Sequence, residues 1–257
     1  MTDFLKRQTI GTDTKRKKAI GRAFLRIQQI SLVVIVWSLF IGGIWGLYQL
    51  VFVRGVFVVK NVEVEGTLKN VSAVDVKRMA NIKTGSNIFL VDMKKVQKSI
   101  ENDPWTKEVA VARKIPSNIW IYVNEHRPYA ILSSGALWLV SRQGVVFKEL
   151  EGSDEKDLPV ITGVTEEDLS NAMKVLDDYY RSPLTNYFSI SEVSFDRAKG
   201  FTVIVSKYGF AIRLGFDRVP EKLELLYSML GGISSYKTKM RYVDLNIPGK
   251  VVVKYEG

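Results

Sequence analysis

The sequence predicts an α+β protein: a single N-terminal transmembrane helix, then a β-α-α-β-β module, then a mainly antiparallel β domain with two packed helices. Three observations carry this. Residues 27–53 contain no charged side chain. Residues 57–125 pass through strand, helix, helix, strand and strand patterns in about 70 residues. Beyond Arg127-Pro128, short alternating segments bounded by turn residues take over, interrupted by two longer amphipathic stretches.

As a helix, residues 27–53 would span about 40 Å, enough to cross a hydrocarbon core of ~30 Å with some tilt. A buried helix of a soluble core would not be apolar on every face over this length. A cleaved signal peptide would have a shorter apolar run and a small-residue cleavage site, and Leu50-Val51-Phe52-Val53-Arg54 offers none. The flanking charge orients the span. Of 37 Lys and Arg, eight (Lys6, Arg7, Lys15, Arg16, Lys17, Lys18, Arg22 and Arg26) precede it against Asp3 and Asp13, giving the tail +6 of the net +10. Positive-inside logic puts residues 1–26 in the cytoplasm as a basic tail and the rest outside, a single-pass type II arrangement. Gly42 and Gly46 form a GxxxG that could support weak self-association.

The remaining 231 residues hold 29 basic and 25 acidic side chains, so the body is only mildly basic. No basic stripe interleaved with aromatics marks a nucleic-acid surface. The chain has no cysteine and one histidine, His126, which excludes disulfides, thiol catalysis and Cys-ligated metals and leaves little for a His-based site.

The outer elements follow in order. Val56–Glu65 reads as a strand ending at Gly66. Ser72, with Asp75 three residues on, starts a short helix. Asp92 caps a second helix whose Met93, Val96 and Ile100 share a face, and Asn102-Asp103-Pro104 ends it. Thr106–Lys114 and Asn118–Glu125 alternate as two strands around Ile115-Pro116-Ser117. This first module occupies 54–126, and Glu125 and Arg127 are placed to pair at its end. A second domain over 127–257 begins with a hairpin, Leu137–Val140 and Val145–Lys148. A helix from Thr165 carries Leu169, Met173, Leu176 and Tyr180 on one stripe and stops before Pro183. Three strands follow, at Ile190–Asp196, Phe201–Lys207 and Phe210–Leu214. Pro220 suits the first turn of a helix with Leu223, Leu226 and Leu230 buried, ended by Gly231-Gly232. Tyr242–Ile247, a Pro248-Gly249 turn and Lys250–Tyr255 close the chain.

No catalytic, cofactor-binding or metal-binding residue stands out. His126 is a junction or solvated histidine, Glu166 and Glu167 suit a helix N-terminus, and Asp177-Asp178 reads as a solvated face. Trp105 reads as a core plug, and Gly66 and Gly85 as positions for backbone conformations open mainly to glycine. An extracytoplasmic hydrolase would have to work through His126.

Several strings in fixed order resemble the FtsQ/DivIB family of bacterial division proteins. Val64-Glu65-Gly66, Gly85-Ser86-Asn87-Ile88-Phe89-Leu90-Val91-Asp92, Asp103-Pro104-Trp105, Val111-Ala112-Arg113-Lys114-Ile115-Pro116-Ser117-Asn118 and Val123-Asn124-Glu125-His126-Arg127-Pro128-Tyr129-Ala130 resemble its POTRA domain and the junction that follows. Leu139-Val140-Ser141-Arg142-Gln143-Gly144-Val145-Val146-Phe147, Leu158-Pro159-Val160-Ile161-Thr162-Gly163 and Tyr242-Val243-Asp244-Leu245 resemble its β domain. Ser141 stands where the family often has an acidic residue, and Asn246 where arginine is common. The resemblance implies a non-enzymatic scaffold of the divisome, in the inner membrane at the division septum with its C-terminal domains periplasmic or otherwise extracytoplasmic. It implies FtsB- and FtsL-type partners, among other divisome components, and a partner strand added near the closing segment. The residues expected there are Tyr242, Ile247, Gly249, Val251, Val252, Val253 and Tyr255. From the residues alone, the last strand reads more readily as internal to the sheet. A POTRA chaperone module for envelope protein assembly is the alternative, although such chains normally continue into a β-barrel.

Overall fold

The computed structural model describes residues 28–53, 55–233 and 240–256. The basic tail over 1–26, the expected start of the span at residue 27 and the flanking Arg54 lie outside the described residues. Helix α1, Gln28–Val53, is long and apolar enough to cross a membrane, closes in a π turn over Gln49–Val53, and has no buried residue.

The first module is β1 (Asn61–Thr67), α2 (Ala73–Ala80), α3 (Met93–Glu101), β2 (Thr106–Lys114) and β3 (Asn118–Glu125), with strand order β1-β3-β2. Chain order and spatial order differ because β3 returns between the other two. As the middle strand, β3 buries Ile119, Ile121, Val123 and Glu125 on one face, the period-2 pattern its sequence predicts. The first strand does not begin at Val56: the ladder starts at Asn61, and residues 57–58 make only an isolated bridge, Val58 to Asn87. Nor does the strand stop at Gly66, which lies inside it at φ +127. A Cβ there would sit 1.9 Å from the Val123 carbonyl oxygen, so only glycine lets β1 approach β3 so closely.

Both module helices begin on side-chain caps. The Ser72 hydroxyl accepts from the Asp75 backbone N–H (3.1 Å) and donates to its carboxylate (2.6 Å), while Asp92 accepts from the Lys95 N–H (3.1 Å). Their buried faces are Val76 and Ala80 on α2, and Val96 and Ile100 on α3.

The chain divides into two compact units. One is drawn from residues 1–63, 81–96 and 111–121, and the other from 64–80, 97–110 and 122–257. The second unit contains a nine-stranded sheet with order β12-β11-β10-β9-β8-β7-β4-β5-β6. Its strands are β4 (Pro128–Ser134), β5 (Ala136–Ser141), β6 (Val146–Glu149), β7 (Val160–Thr162), β8 (Ile190–Asp196), β9 (Gly200–Val205), β10 (Ala211–Gly215), β11 (Met240–Asp244) and β12 (Val252–Tyr255). Five neighbouring pairs are antiparallel and three, β4·β7, β7·β8 and β10·β11, are parallel. Helices α4 (Glu166–Arg181) and α5 (Val219–Ile233) pack on the sheet, burying Leu169, Met173 and Leu176 with Leu223, Leu226 and Leu230 against Val193, Val203, Ile212 and Val243.

Several expectations are corrected here. Strands β4 and β7 carry no clean alternation and escape a periodicity reading. The stripe of α4 ends on Tyr179, fully buried with its hydroxyl donated to the Phe188 carbonyl (2.9 Å), whereas Tyr180 is 42% exposed. Helix α5 continues through Gly231 and Gly232 to Ile233. The closing strands are shorter than expected, ending at Asp244 and starting at Val252.

The two sheet edges are built differently. Strand β6 has four residues, and its Lys148 ammonium, only 11% exposed, lies 2.7 Å from Asp154 and 3.3 Å from Glu151 in the chain that follows. A short edge carrying an inturned charge resists further pairing. Strand β12, at the other end, has no neighbour beyond it among the described residues.

Candidate functional site

The open edge is made by three segments. Strand β10 pairs parallel with β11, register Ala211 to Tyr242 and Arg213 to Asp244, and β11 pairs antiparallel with β12, register Tyr242 to Lys254 and Asp244 to Val252. One hydrogen bond fixes which backbone groups face outward. Leu245 donates its N–H to the Arg213 carbonyl (3.0 Å), so residues 243 and 245 turn their polar groups toward β10. Tyr242 and Asp244, one residue out of step, turn theirs toward β12. Their partners Lys254 and Val252 are therefore the hydrogen-bonded pairs of the ladder, and Val253 directs its N–H and C=O away from β11.

Side chains alternate independently of this. Val251 and Val253 pack against the core, while Val252 and Lys254 are exposed. Tyr255 is 41% exposed. Arg213 braces the strand beneath: its guanidinium lies 3.8 Å from the Tyr242 ring centroid and 3.6 Å from the Asp244 carboxylate. Between the strands, Ile247 accepts from the Lys250 N–H (3.1 Å) in a turn with Gly249 at φ +70.

The structure thus brings Val251, Val252, Val253 and Tyr255 to one edge, with Ile247 and Gly249 in the turn that leads into it. Tyr242 lies one strand in, with backbone partners on both sides, and supports the edge rather than forming it. Lys250, Lys254 and Arg241 are exposed around β12, and the nearby acids are Asp244 and Glu256. Such an edge has the backbone geometry to pair with an extended segment.

The residues weighed for chemistry take structural places. Glu125 does not pair with Arg127. Its carboxylate is 4% exposed and accepts from the backbone N–H groups of Lys69 (3.0 Å), Asn70 (3.0 Å) and Val71 (2.8 Å) and from the Asn70 amide (3.0 Å). This places an anion just before the first turn of α2, where the helix dipole favours it. His126 stacks on Phe147 with centroids 4.7 Å apart, donates its backbone N–H to the Trp105 carbonyl (2.8 Å), and leaves its buried Nδ1 without a hydrogen-bond partner. Burial, and then the charge of Lys107, push its pKa below the ordinary value. Trp105 is buried and contacts Phe147 at 5.6 Å. Asp177 is not a solvated carboxylate. It accepts from the Tyr129 hydroxyl (2.7 Å) and two Arg142 nitrogens (3.0 and 3.1 Å), which hold it below the usual carboxylate range. Nothing near Asp177 in the chain announced these partners, which lie 48 and 35 residues away.

Comparison with known proteins gives two family matches. Residues 57–126 match the model "POTRA domain, FtsQ-type", and residues 130–246 match "Cell division protein FtsQ/DivIB, C-terminal". Among curated relatives, the cell division protein FtsQ of Geobacter sp. strain M21 is 31% identical over 224 residues, covering 83% of this chain and 81% of the relative. FtsQ of Syntrophotalea carbinolica is 27% identical, with 96% of each covered. DivIB of Clostridium botulinum is 24% identical over 78% of this chain and 82% of its own length.

Proposed function

Because the chain belongs to the FtsQ/DivIB family of bacterial cell division proteins, we propose that it is a non-enzymatic, single-pass membrane scaffold of the divisome. It binds partners by adding a strand to β12 and so supports septum formation. The family is not one of known enzymes. On this reading residues 1–26 are a cytoplasmic tail, α1 is the anchor, and a POTRA domain over 54–126 and a β domain over 127–257 stand outside the cytoplasm at the division site. The incoming segment belongs to an FtsB- or FtsL-type protein. The observation that carries the reading is the position of β12: an edge strand with no neighbour beyond it among the described residues, and with the Val253 N–H and C=O pointing outward.

Proline scanning tests it. At position 253 proline removes an outward N–H and spares the β11 ladder, a substitution that edge strands tolerate. Its ring also fills space that a partner strand must occupy, and one lost hydrogen bond alone costs about 1 kcal/mol. Val253→Pro in the full chain, reconstituted in nanodiscs and titrated with an FtsB-type partner, should lose at least about tenfold in affinity relative to Val253→Ala, which loses the same core packing but keeps the N–H. Undiminished affinity would sink the β12 site. In cells, a fluorescent fusion should concentrate at midcell, and depletion should give filaments that grow without septating.

A further inference from the structure

The loop between the two module helices carries an exposed apolar tip that the β12 reading leaves unused. Phe89 and Leu90 are 40% and 72% exposed, although the loop bearing them is firmly held. Ile88 beside them is fully buried and donates its N–H to the Phe57 carbonyl (2.8 Å). Arg113 clamps the other side, donating to the carbonyls of Ile88 (2.8 Å) and Val91 (2.6 Å). Within the turn, Asn87 accepts from the Phe89 N–H through its side chain (2.9 Å) and from the Leu90 N–H through its carbonyl (3.1 Å). The tip is therefore exposed by construction.

Its position along α1 is fixed by one contact. The Asn87 amide donates to the Val51 carbonyl at 2.7 Å, inside the last turn of the helix. A helix of 26 residues is about 39 Å long against a hydrocarbon core of ~30 Å, so Val51 lies near where the helix leaves the hydrocarbon. Leu90 is three residues from Asn87, which puts their Cα atoms at most about 11 Å apart. The apolar surface is continuous there: the Phe57 and Phe89 rings lie 5.3 Å apart, and Phe52 and Val56 are each 45% exposed. Exposed Lys83, Lys94 and Lys95 flank the loop in the chain.

We propose that the Phe89-Leu90 tip is an interfacial membrane anchor, seated among lipid headgroups and upper acyl chains beside the end of α1, with the flanking lysines favouring anionic lipid. Apolar and aromatic side chains next to basic ones are what such an interface takes up. The anchor gives the module a second attachment and limits its swing about the chain leaving the membrane. The inference rests on α1 crossing the bilayer, and the test separates the two.

The chain has no cysteine, so an introduced one is a unique label site. Leu90→Cys, Val74→Cys and Leu39→Cys variants of the full chain are each labelled with an environment-sensitive fluorophore and reconstituted in phosphatidylethanolamine–phosphatidylglycerol vesicles. Val74, 73% exposed on α2, reports water, and Leu39, mid-span on α1, reports the bilayer. The expected result is a blue-shifted Leu90 label quenched by spin label placed shallow in the acyl chains, a Leu39 label quenched by deep spin label, and a Val74 label quenched by neither. A Leu90 label that behaves like Val74 while Leu39 is quenched overturns the anchor and leaves the loop to a protein partner. A Leu39 label that is not quenched overturns the membrane reading and the anchor with it.

Discussion

Removing the carboxylate at Glu125 should loosen the start of α2 by an amount that the burial of its partners sets. In Glu125→Ala the N–H groups of Lys69, Asn70 and Val71 lose their acceptor together. Lys69 and Asn70 are exposed, so water replaces the carboxylate at about 0.5–1 kcal/mol each. Val71 is only 6% exposed, and its N–H has no route to water. An unsatisfied buried donor costs about 1–3 kcal/mol, which brings the total to about 2–5 kcal/mol. Glu125→Gln keeps one accepting oxygen for Val71 but sets an amide donor against the other N–H groups, so it should fall between, at about 1–2 kcal/mol. Guanidinium unfolding of the full chain in nanodiscs gives the order wild type, Gln, Ala, and hydrogen exchange should show protection at Val71 lost first in the Ala variant. A loss below about 1 kcal/mol for Ala, or Gln no better than Ala, would refute the view that this carboxylate serves buried donors.

The same chain offers simpler tests. Gly66→Ala sets a Cβ 1.9 Å from the Val123 carbonyl at φ +127, and thermal unfolding should show a loss of at least about 3 kcal/mol as β1 parts from β3. His126 has a folded pKa below its unfolded value near 6.5, so the unfolded state binds the proton more readily. Stability should then fall as pH drops below about 6.5 and level off under the folded pKa, and this part of the slope should vanish in His126→Gln measured by chemical denaturation from pH 7.5 to 5.5. Val252→Pro removes a bond of the β11 ladder and should lower Tm further than Val253→Pro, which loses only the packing of a half-buried side chain. Equal Tm values for the two would reverse the assigned backbone directions.

What the residues disclosed beforehand depended on whether the governing interaction was local. Strand β3 is legible to the residue because its burial alternates strictly, whereas β2 shows itself through the alternation of Val109 and Val111 although only Thr106 and Val109 are buried on it. The starts of α2 and α3 were legible because a cap is a contact over three residues. Strand β4 was not, because it begins on Pro128 and buries Ala130 and Ile131 in succession, with β5 on one side and β7 on the other. The stop expected for α5 at Gly231-Gly232 does not occur, because these glycines would end the helix only by turning left-handed, and neither does. Glu125 misled for the same reason at longer range: Arg127 is its nearest candidate in sequence, while its partners lie 54 to 56 residues back. For the candidate site, the β-branched closing run was visible, but its place at the edge depends on the parallel pairing of β10 with β11, which no local pattern encodes.

The unequal edges of the large sheet have a consequence for stoichiometry. With Lys148 turned inward at β6 and no neighbour beyond β12 among the described residues, the end of the sheet suited to a further strand is the β12 end. Once a partner strand is in place, the next free edge belongs to the partner, so any further growth is governed by that partner's sequence. A second copy of this chain could reach β12 only by displacing it. On the proposed reading, the chain therefore ends a strand series rather than propagating one. Supply of partner and self-pairing become competing terms in a single mass balance, which titration at varied protein concentration would resolve.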